Sequence, residues 1–108
     1  MLAWVYLFLA GMFEMSWPTG FKLAQMSEHK VLWVTFSAIG MAISGIFLYL
    51  AQRSIPVGVA YATWAALGAT GTFILGIFYF QDASTLAGWL GVALIVMGIV
   101  FLKLSISA

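Results

Sequence analysis

The amino-terminal stretch Met1–Phe21 reads MLAWVYLFLAGMFEMSWPTGF and contains one charged side chain, Glu14. Three later stretches, 31–52, 54–81 and 83–102, contain no charged side chain at all. A helix needs roughly 20 apolar residues to cross the hydrocarbon of a bilayer, so each stretch is long enough for one crossing and too short for two. Backbone groups in lipid must be bonded within their own segment, and each crossing is therefore predicted to be helical.

These four stretches account for most of the chain. The sequence predicts an all-α membrane protein with four transmembrane helices per protomer, folded as a single domain over residues 1–108. Only short polar turns remain between the helices, which leaves no room for a soluble domain. The approximate predicted spans are 2–22, 31–51, 56–80 and 85–104.

The composition excludes most other classes of protein. Hydrophobic residues make up 65% of the chain and charged residues 6%, whereas soluble domains carry about 25% charged residues. A water-soluble monomer and a disordered chain are both excluded. The net charge of +1 gives no basic surface for nucleic acid.

Chemistry that depends on metals or cofactors is not expected. Cysteine is absent and His29 is the single histidine, so the chain has no disulfide, no thiolate nucleophile and no cluster of metal ligands. No nucleophile–base pair and no phosphate-binding loop is recognisable, which argues against an enzyme. We therefore predict no metal and no cofactor.

The positive charges do not select an orientation in the membrane. Lys22 and Lys30 belong to one side of the predicted bundle, and Arg53 and Lys103 to the other. Orientation normally follows an excess of Lys and Arg on the cytoplasmic side. Two interpretations remain open: the rule is uninformative for so small a protein, or the chain inserts in both directions and forms an antiparallel homodimer.

Glu14 is the residue that most strongly indicates a function. It lies in the middle of the first predicted span, where a charged side chain costs roughly 2.5–3.5 kcal/mol on insertion scales. Desolvation penalises the charged form of a carboxyl group, which makes Glu14 a candidate proton carrier. Its oxygens are equally suited to a cationic substrate, and competition between the two would allow proton-coupled exchange. The structural alternative is a protonated glutamate that only joins helices.

Three neighbours on the Glu14 face of the first helix would shape the surroundings of the carboxylate. Gly11 allows close approach of another helix or a ligand, and Trp17 offers an indole N–H. Pro18 removes the N–H that would bond the carbonyl of Glu14, so a kink beginning at Glu14 is predicted. Broken helices of this kind often mark binding sites in transporters, although a kink without function is also possible.

Two other spans carry patterned faces. The third span carries two aromatic residues, Tyr61 and Trp64, and two glycines, Gly68 and Gly71, on one face. We expect the two glycines to act as a kink or hinge. The fourth has small residues on one face, which favours helix association. Its expected dimer contacts are Gly91, Leu94, Ile95 and Gly98.

With these features the chain resembles the small multidrug resistance family of four-helix transporters. The matching motifs are AGMFEMSW (Ala10–Trp17), IPVGVAYATW (Ile55–Trp64) and GVALIVMGIVFLKLS (Gly91–Ser105). The resemblance covers essentially the whole chain. Within the family the chain is most similar to the guanidinium exporter subtype, because Trp17 follows Glu14 by three residues and Lys103 lies near the end of the last helix.

The resemblance implies an activity and an assembly. It implies an antiparallel, dual-topology homodimer in the bacterial inner membrane that exports guanidinium-type cations in exchange for protons. It further implies that Glu14 binds both the proton and the substrate. The residues implied to line the site around it are Gly11, Trp17, Ser44, Tyr61 and Trp64.

The chain departs from the family pattern at two places. Pro18 replaces a small or β-branched residue, and of a Gly-x-Gly motif in the third span only Gly68 remains, with Ala66 at the first position. We hypothesise that Pro18 admits substituted guanidinium compounds such as guanylurea. The alternatives are a broad quaternary ammonium exporter of the same fold, a half-transporter that pairs with a different chain, and a non-transporting membrane subunit.

Overall fold

The computed structural model describes residues 2–107 and shows an all-helical bundle. No β-strand occurs within these residues. The helices, in chain order, are α1 (Leu2–Glu14), α2 (Ser16–Met26), α3 (Lys30–Gln52), α4 (Val57–Phe78) and α5 (Leu86–Ser107). Of these, α3, α4 and α5 are long and apolar enough to cross a membrane on their own. Helices α1 and α2 follow one another and correspond to the first predicted span, which confirms the predicted all-α fold.

The first span is interrupted at Met15, between α1 and α2. Pro18 has no N–H to donate to the carbonyl of Glu14. The backbone hydrogen bonding is therefore interrupted there, and α1 ends at Glu14. Met15 keeps helical backbone angles (φ −64°, ψ −24°), so the interruption lies in the hydrogen bonding rather than in the dihedral angles. The Ser16 hydroxyl donates to the carbonyl of Phe13 at 2.5 Å, and the Thr19 hydroxyl to that of Met15 at 2.7 Å. Side-chain hydroxyls thus supplement the backbone bonding around the break.

Small residues bring the first span close to α3. A Cβ atom at Gly20 would collide with the hydroxyl of Ser37, and one at Gly40 with the hydroxyl of Ser16. The Ser37 hydroxyl also donates to the carbonyl of Trp17 at 3.0 Å. Close approach at small residues, supported by hydrogen bonds between helices, is the usual way in which membrane helices associate.

The remaining contacts join α4 and α5 to the bundle. Helix α4 packs against α1 and α5, and less extensively against α3. Lys103, near the end of α5, places its Nζ 5.5 Å from the centre of the Trp4 ring on α1. The beginning of the first span and the end of the last therefore lie at the same side of the bundle, as four crossings require.

The outward faces are strongly apolar. No residue of α5 between 86 and 106 is buried, and Leu94 and Phe101 are 67% and 65% exposed. An apolar surface of this size is not tolerated by a soluble monomer, whereas the hydrocarbon of a bilayer accommodates it. The protein is a multi-pass integral membrane protein.

Candidate functional site

Glu14 occupies the last position of α1, half-buried against α4. A Cβ atom at Gly68 would collide with the Cγ of Glu14, so the stem of the glutamate lies directly on the α4 backbone. The indole Nε1 of Trp17 donates to Oε1 of Glu14 at 2.8 Å. The three-residue spacing places both side chains on one face across the break. The carboxylate is therefore held from two sides.

A cavity of about 420 Å³ opens beside this carboxylate. Most of its wall is apolar, and Glu14, Thr72 and Asp82 supply side-chain oxygens. A carboxylate in such surroundings can take up either a proton or a cation, because both reduce the cost of an isolated negative charge. The lining residues are Glu14, Trp17, Pro18, Ala65, Gly68, Ala69, Thr72, Phe73 and Asp82.

A second hydrogen-bonded cluster ties three helices together one turn before Glu14. The Trp64 Nε1 of α4 donates to the Ser44 Oγ of α3 at 2.8 Å, and Ser44 donates in turn to the carbonyl of Ala10 on α1 at 2.6 Å. Ser44 is completely buried. The Tyr61 ring packs on Trp64 with 5.4 Å between the ring centres, and Tyr61 itself is exposed.

The residues predicted for the site fall into three groups, the third of which consists of Gly11 and Gly71. Glu14, Trp17, Pro18 and Gly68 share the 420 Å³ cavity. A separate cluster, one turn earlier on α1, contains Ser44, Tyr61 and Trp64.

Two of the predicted glycines lie on the α5 side of the interface between α1 and α4. Gly11 packs against Leu67, and Gly71 packs against Met15. Both line a different, apolar cavity of about 320 Å³ that also contacts α5.

The predicted dimer residues lie on the exposed surface of α5. Leu94 and Ile95 are exposed, and a Cβ atom at Gly91 or Gly98 would meet no atom of another helix within 4 Å. These four positions are therefore open to lipid or to another chain.

Several residues of the cavity wall are not predicted from the sequence. Ala65, Ala69 and Thr72 continue the α4 face at helical spacing, and that periodicity was the available signal. Asp82 lies in the turn between α4 and α5. Its arrival in the cavity depends on how the chain leaves α4, which no pattern in the sequence indicates.

The chemistry open to this site is the binding of small cations and protons. Within residues 2–107, no three His, Cys, Asp or Glu side chains lie close enough together to hold a metal ion. The carboxylate accepts one indole hydrogen bond and has roughly three of its four acceptor positions left for a ligand.

Comparison with known proteins identifies the family of the chain. The family model described as "Small Multidrug Resistance protein" matches residues 2–95. A protein of Yersinia pseudotuberculosis named "Guanidinium exporter" is 38% identical over 104 residues, covering 96% of this chain and 99% of the relative. Proteins of the same name from Proteus vulgaris (37% identical over 105 residues, 96% and 99% covered) and Salmonella typhimurium (38% over 105 residues, 96% and 98% covered) are similarly related. The chain belongs to the small multidrug resistance family.

Proposed function

We propose that the protein is a proton-coupled antiporter that exports guanidinium or substituted guanidinium cations across the bacterial inner membrane. The observation that carries this proposal is the Glu14 carboxylate, fixed by Trp17 and open to a largely apolar cavity. Relatives named guanidinium exporter, which match almost the full length of the chain, support the same substrate class.

The chemistry of guanidinium suits a carboxylate held in this way. Guanidinium is planar, and its N–H groups can form two parallel hydrogen bonds to the two oxygens of a carboxylate. The Trp17 N–H bonds Oε1 at 2.8 Å and so restricts rotation of the carboxylate plane. A plane that is already oriented loses less freedom when the cation binds, which favours affinity for a planar ligand.

Proton coupling follows from competition for Glu14. A bound proton removes the charge that attracts the cation, and a bound cation disfavours the proton to the same degree, since linkage is reciprocal. If the site opens to one side of the membrane at a time, each outward movement of a cation is followed by inward movement of protons. A proton gradient then drives export.

An antiparallel, dual-topology homodimer is the assembly that we propose. The two-against-two distribution of Lys and Arg permits insertion in both directions. The α5 surface around Gly91, Leu94, Ile95 and Gly98 has room for a partner helix. Two Glu14 carboxylates near the dimer axis would titrate as a coupled pair.

The lining of the cavity bears on the range of substrates. Pro18 lies in the wall beside Glu14 and Trp17, which supports the hypothesis that compounds such as guanylurea are accepted. A second candidate is export of quaternary ammonium cations. The apolar wall of Ala65, Ala69 and Phe73 favours it, because such cations carry apolar groups and cannot donate hydrogen bonds.

Transport by the purified protein in proteoliposomes tests the proposal. Uptake of guanidinium, guanylurea and tetrapropylammonium would be measured with and without a pH gradient. We expect the protein to transport guanidinium-type cations and the pH gradient to accelerate that transport. Transport of tetrapropylammonium would support the second candidate. A protein that moved none of the three cations would refute both candidates.

A further inference from the structure

Asp82 lies at the far end of the cavity that contains Glu14. It belongs to the turn between α4 and α5, and it also lines a neighbouring cavity of about 220 Å³ with Pro18, Thr19, Lys22 and Thr72. The chain has three acidic side chains, Glu14, Glu28 and Asp82. Two of the three therefore border a single cavity, one within the span and one at its end.

The backbone of the turn directs Asp82 back over α4. Gln81 has a positive φ of 62°, which reverses the chain after the helix. The N–H groups of Phe80 and Asp82 both donate to the carbonyl of Gly76, at 3.1 and 2.9 Å. A Cβ atom at Gly76 would collide with Oδ2 of Asp82, so the carboxylate lies directly on the helix at that glycine. Its position is set by main-chain bonds that do not depend on its charge.

The register along α4 gives the separation of the two carboxylates. Glu14 packs on Gly68 and Asp82 packs on Gly76, eight residues further along the helix. At 1.5 Å per residue this corresponds to about 12 Å along the helix axis. Thr72 and Phe73 line the cavity between the two levels. A cation that moves from Glu14 towards this end of the bundle passes a hydroxyl and an aromatic ring before it reaches Asp82.

We propose that Asp82 is a second cation-contact residue, which holds the transported guanidinium-type cation at the mouth of the cavity before it reaches Glu14 and after it leaves. This inference rests on the proposed function. A carboxylate at a cavity mouth raises the local concentration of cations and accelerates their entry. About 12 Å along the helix axis is more than the Debye length of about 8 Å at physiological ionic strength, so at the mouth mobile ions screen the charge of Glu14 more strongly than that of Asp82.

Lys22 is the charged group that faces Asp82 from the packed helices, because it lines the same 220 Å³ cavity from α2. Its positive charge repels a cation at the mouth and partly offsets the attraction of Asp82. Removal of either charge should therefore change cation entry, and the two changes should have opposite signs.

Transport kinetics of charge-neutral variants in proteoliposomes test the inference. Asp82→Asn retains the size of the side chain and the backbone N–H that bonds Gly76. We expect it to raise the KM for guanidinium by about threefold to tenfold at low ionic strength, with the maximal rate unchanged within twofold. High salt should reduce the difference, because mobile ions screen exposed charges. Lys22→Gln should lower the KM.

The matched control is Glu28→Gln, which removes the other exposed carboxylate, in the turn between α2 and α3. Glu28 lines neither of the two cavities. The KM of Glu28→Gln for guanidinium should therefore stay within twofold of the wild-type value. If wild-type flux is normal and Asp82→Asn has the same KM as Glu28→Gln, the inference is wrong and the proposed function stands. If the wild type moves no guanidinium, the proposed function fails and the inference fails with it.

Discussion

The first and last spans of the bundle are both apolar, yet they are built for different surroundings. The first span is interrupted at Met15, buries Leu7, Ala10 and Gly11, and carries a carboxylate. The last, α5, is uninterrupted and buries no residue between 86 and 106. Among the described residues, the buried polar side chains of the spans thus belong to helices that are covered by other helices, whereas the helix that faces outward carries none in its middle. The difference places the carboxylate of the candidate site in the first span and leaves α5 for contact with lipid or a second chain.

The largest effect is expected from Glu14→Gln in the first span. Glutamine keeps the shape of the side chain but can bind neither a proton nor a cation by charge. We expect guanidinium transport to fall by at least about a hundredfold, which corresponds to roughly 2.7 kcal/mol or more of lost interaction. Flux in proteoliposomes measures the loss, and circular dichroism and cross-linking should show unchanged helix content and assembly. Transport that survived Glu14→Gln at half the wild-type rate would contradict the role of Glu14.

Trp17→Phe should have the next largest effect. Phenylalanine preserves the ring that packs edge-on against Phe21 at 5.7 Å between centres, but it cannot donate to Oε1 of Glu14. Hydrogen bonds to charged groups contribute about 1.5–3 kcal/mol, so the KM for guanidinium should rise by about tenfold or more.

Trp33→Phe is the control for Trp17→Phe. It also removes an indole and keeps an edge-on contact, with Phe36 at 5.5 Å, but it lies outside the cavity that contains Glu14. Its KM should remain within twofold of the wild-type value. Equal KM values for the two variants would show that the indole of Trp17 has no specific part in binding.

The buried serine of α3 and an exposed serine of α5 provide a comparison of stability. Ser44→Ala leaves the Trp64 indole and the Ala10 carbonyl without their shared partner, and should lower the free energy of unfolding by about 1–3 kcal/mol. Ser105→Ala removes only an exposed bond to the carbonyl of Leu102, and should cost less than about 0.5 kcal/mol. Denaturation in detergent micelles measures both variants. A smaller loss for Ser44→Ala than for Ser105→Ala would contradict the structure.

The smallest effects concern two glycines at which a methyl group would meet different surroundings. Gly68→Ala places a Cβ against the Glu14 stem and should cost about 1–2 kcal/mol of stability. Gly98→Ala meets open space within the protomer and should alter its stability by less than about 0.5 kcal/mol. Gly98→Leu should reduce the dimer fraction in cross-linking if α5 is the dimer contact. An unchanged dimer fraction would exclude Gly98 from that interface.

Much of the architecture could be predicted because a charged side chain in the hydrocarbon of a bilayer has a high free-energy cost. Lys30, Arg53 and Asp82 mark turns or helix ends, as the cost of placing charges in hydrocarbon requires. The pairing of Glu14 with Trp17 is local, at a spacing of three residues, and so follows from helix geometry alone. The interruption of the first span likewise follows from one residue, Pro18, and its missing N–H.

The rest of the site depends on how helices meet, which spacing within one helix cannot give. Gly11 shares a broad helix face with Glu14, but α4 divides that face, and Gly11 packs on Leu67 on the α5 side. Asp82 reaches the Glu14 cavity only because Gln81 takes a left-handed conformation and Gly76 leaves room for a carboxylate. Such arrangements arise from contacts between residues far apart in the chain.

The hydroxyl of Ser44 has a single hydrogen and can therefore donate fully to only one acceptor at a time. That hydrogen is engaged with the carbonyl of Ala10, while the oxygen accepts the indole of Trp64. Donation to any other acceptor would release the Ala10 carbonyl, so the two states of this contact exclude one another. A movement of α1 past α3 would therefore have to break or replace this hydrogen bond, and because Ser44 also accepts the Trp64 indole, the change would reach α4 as well.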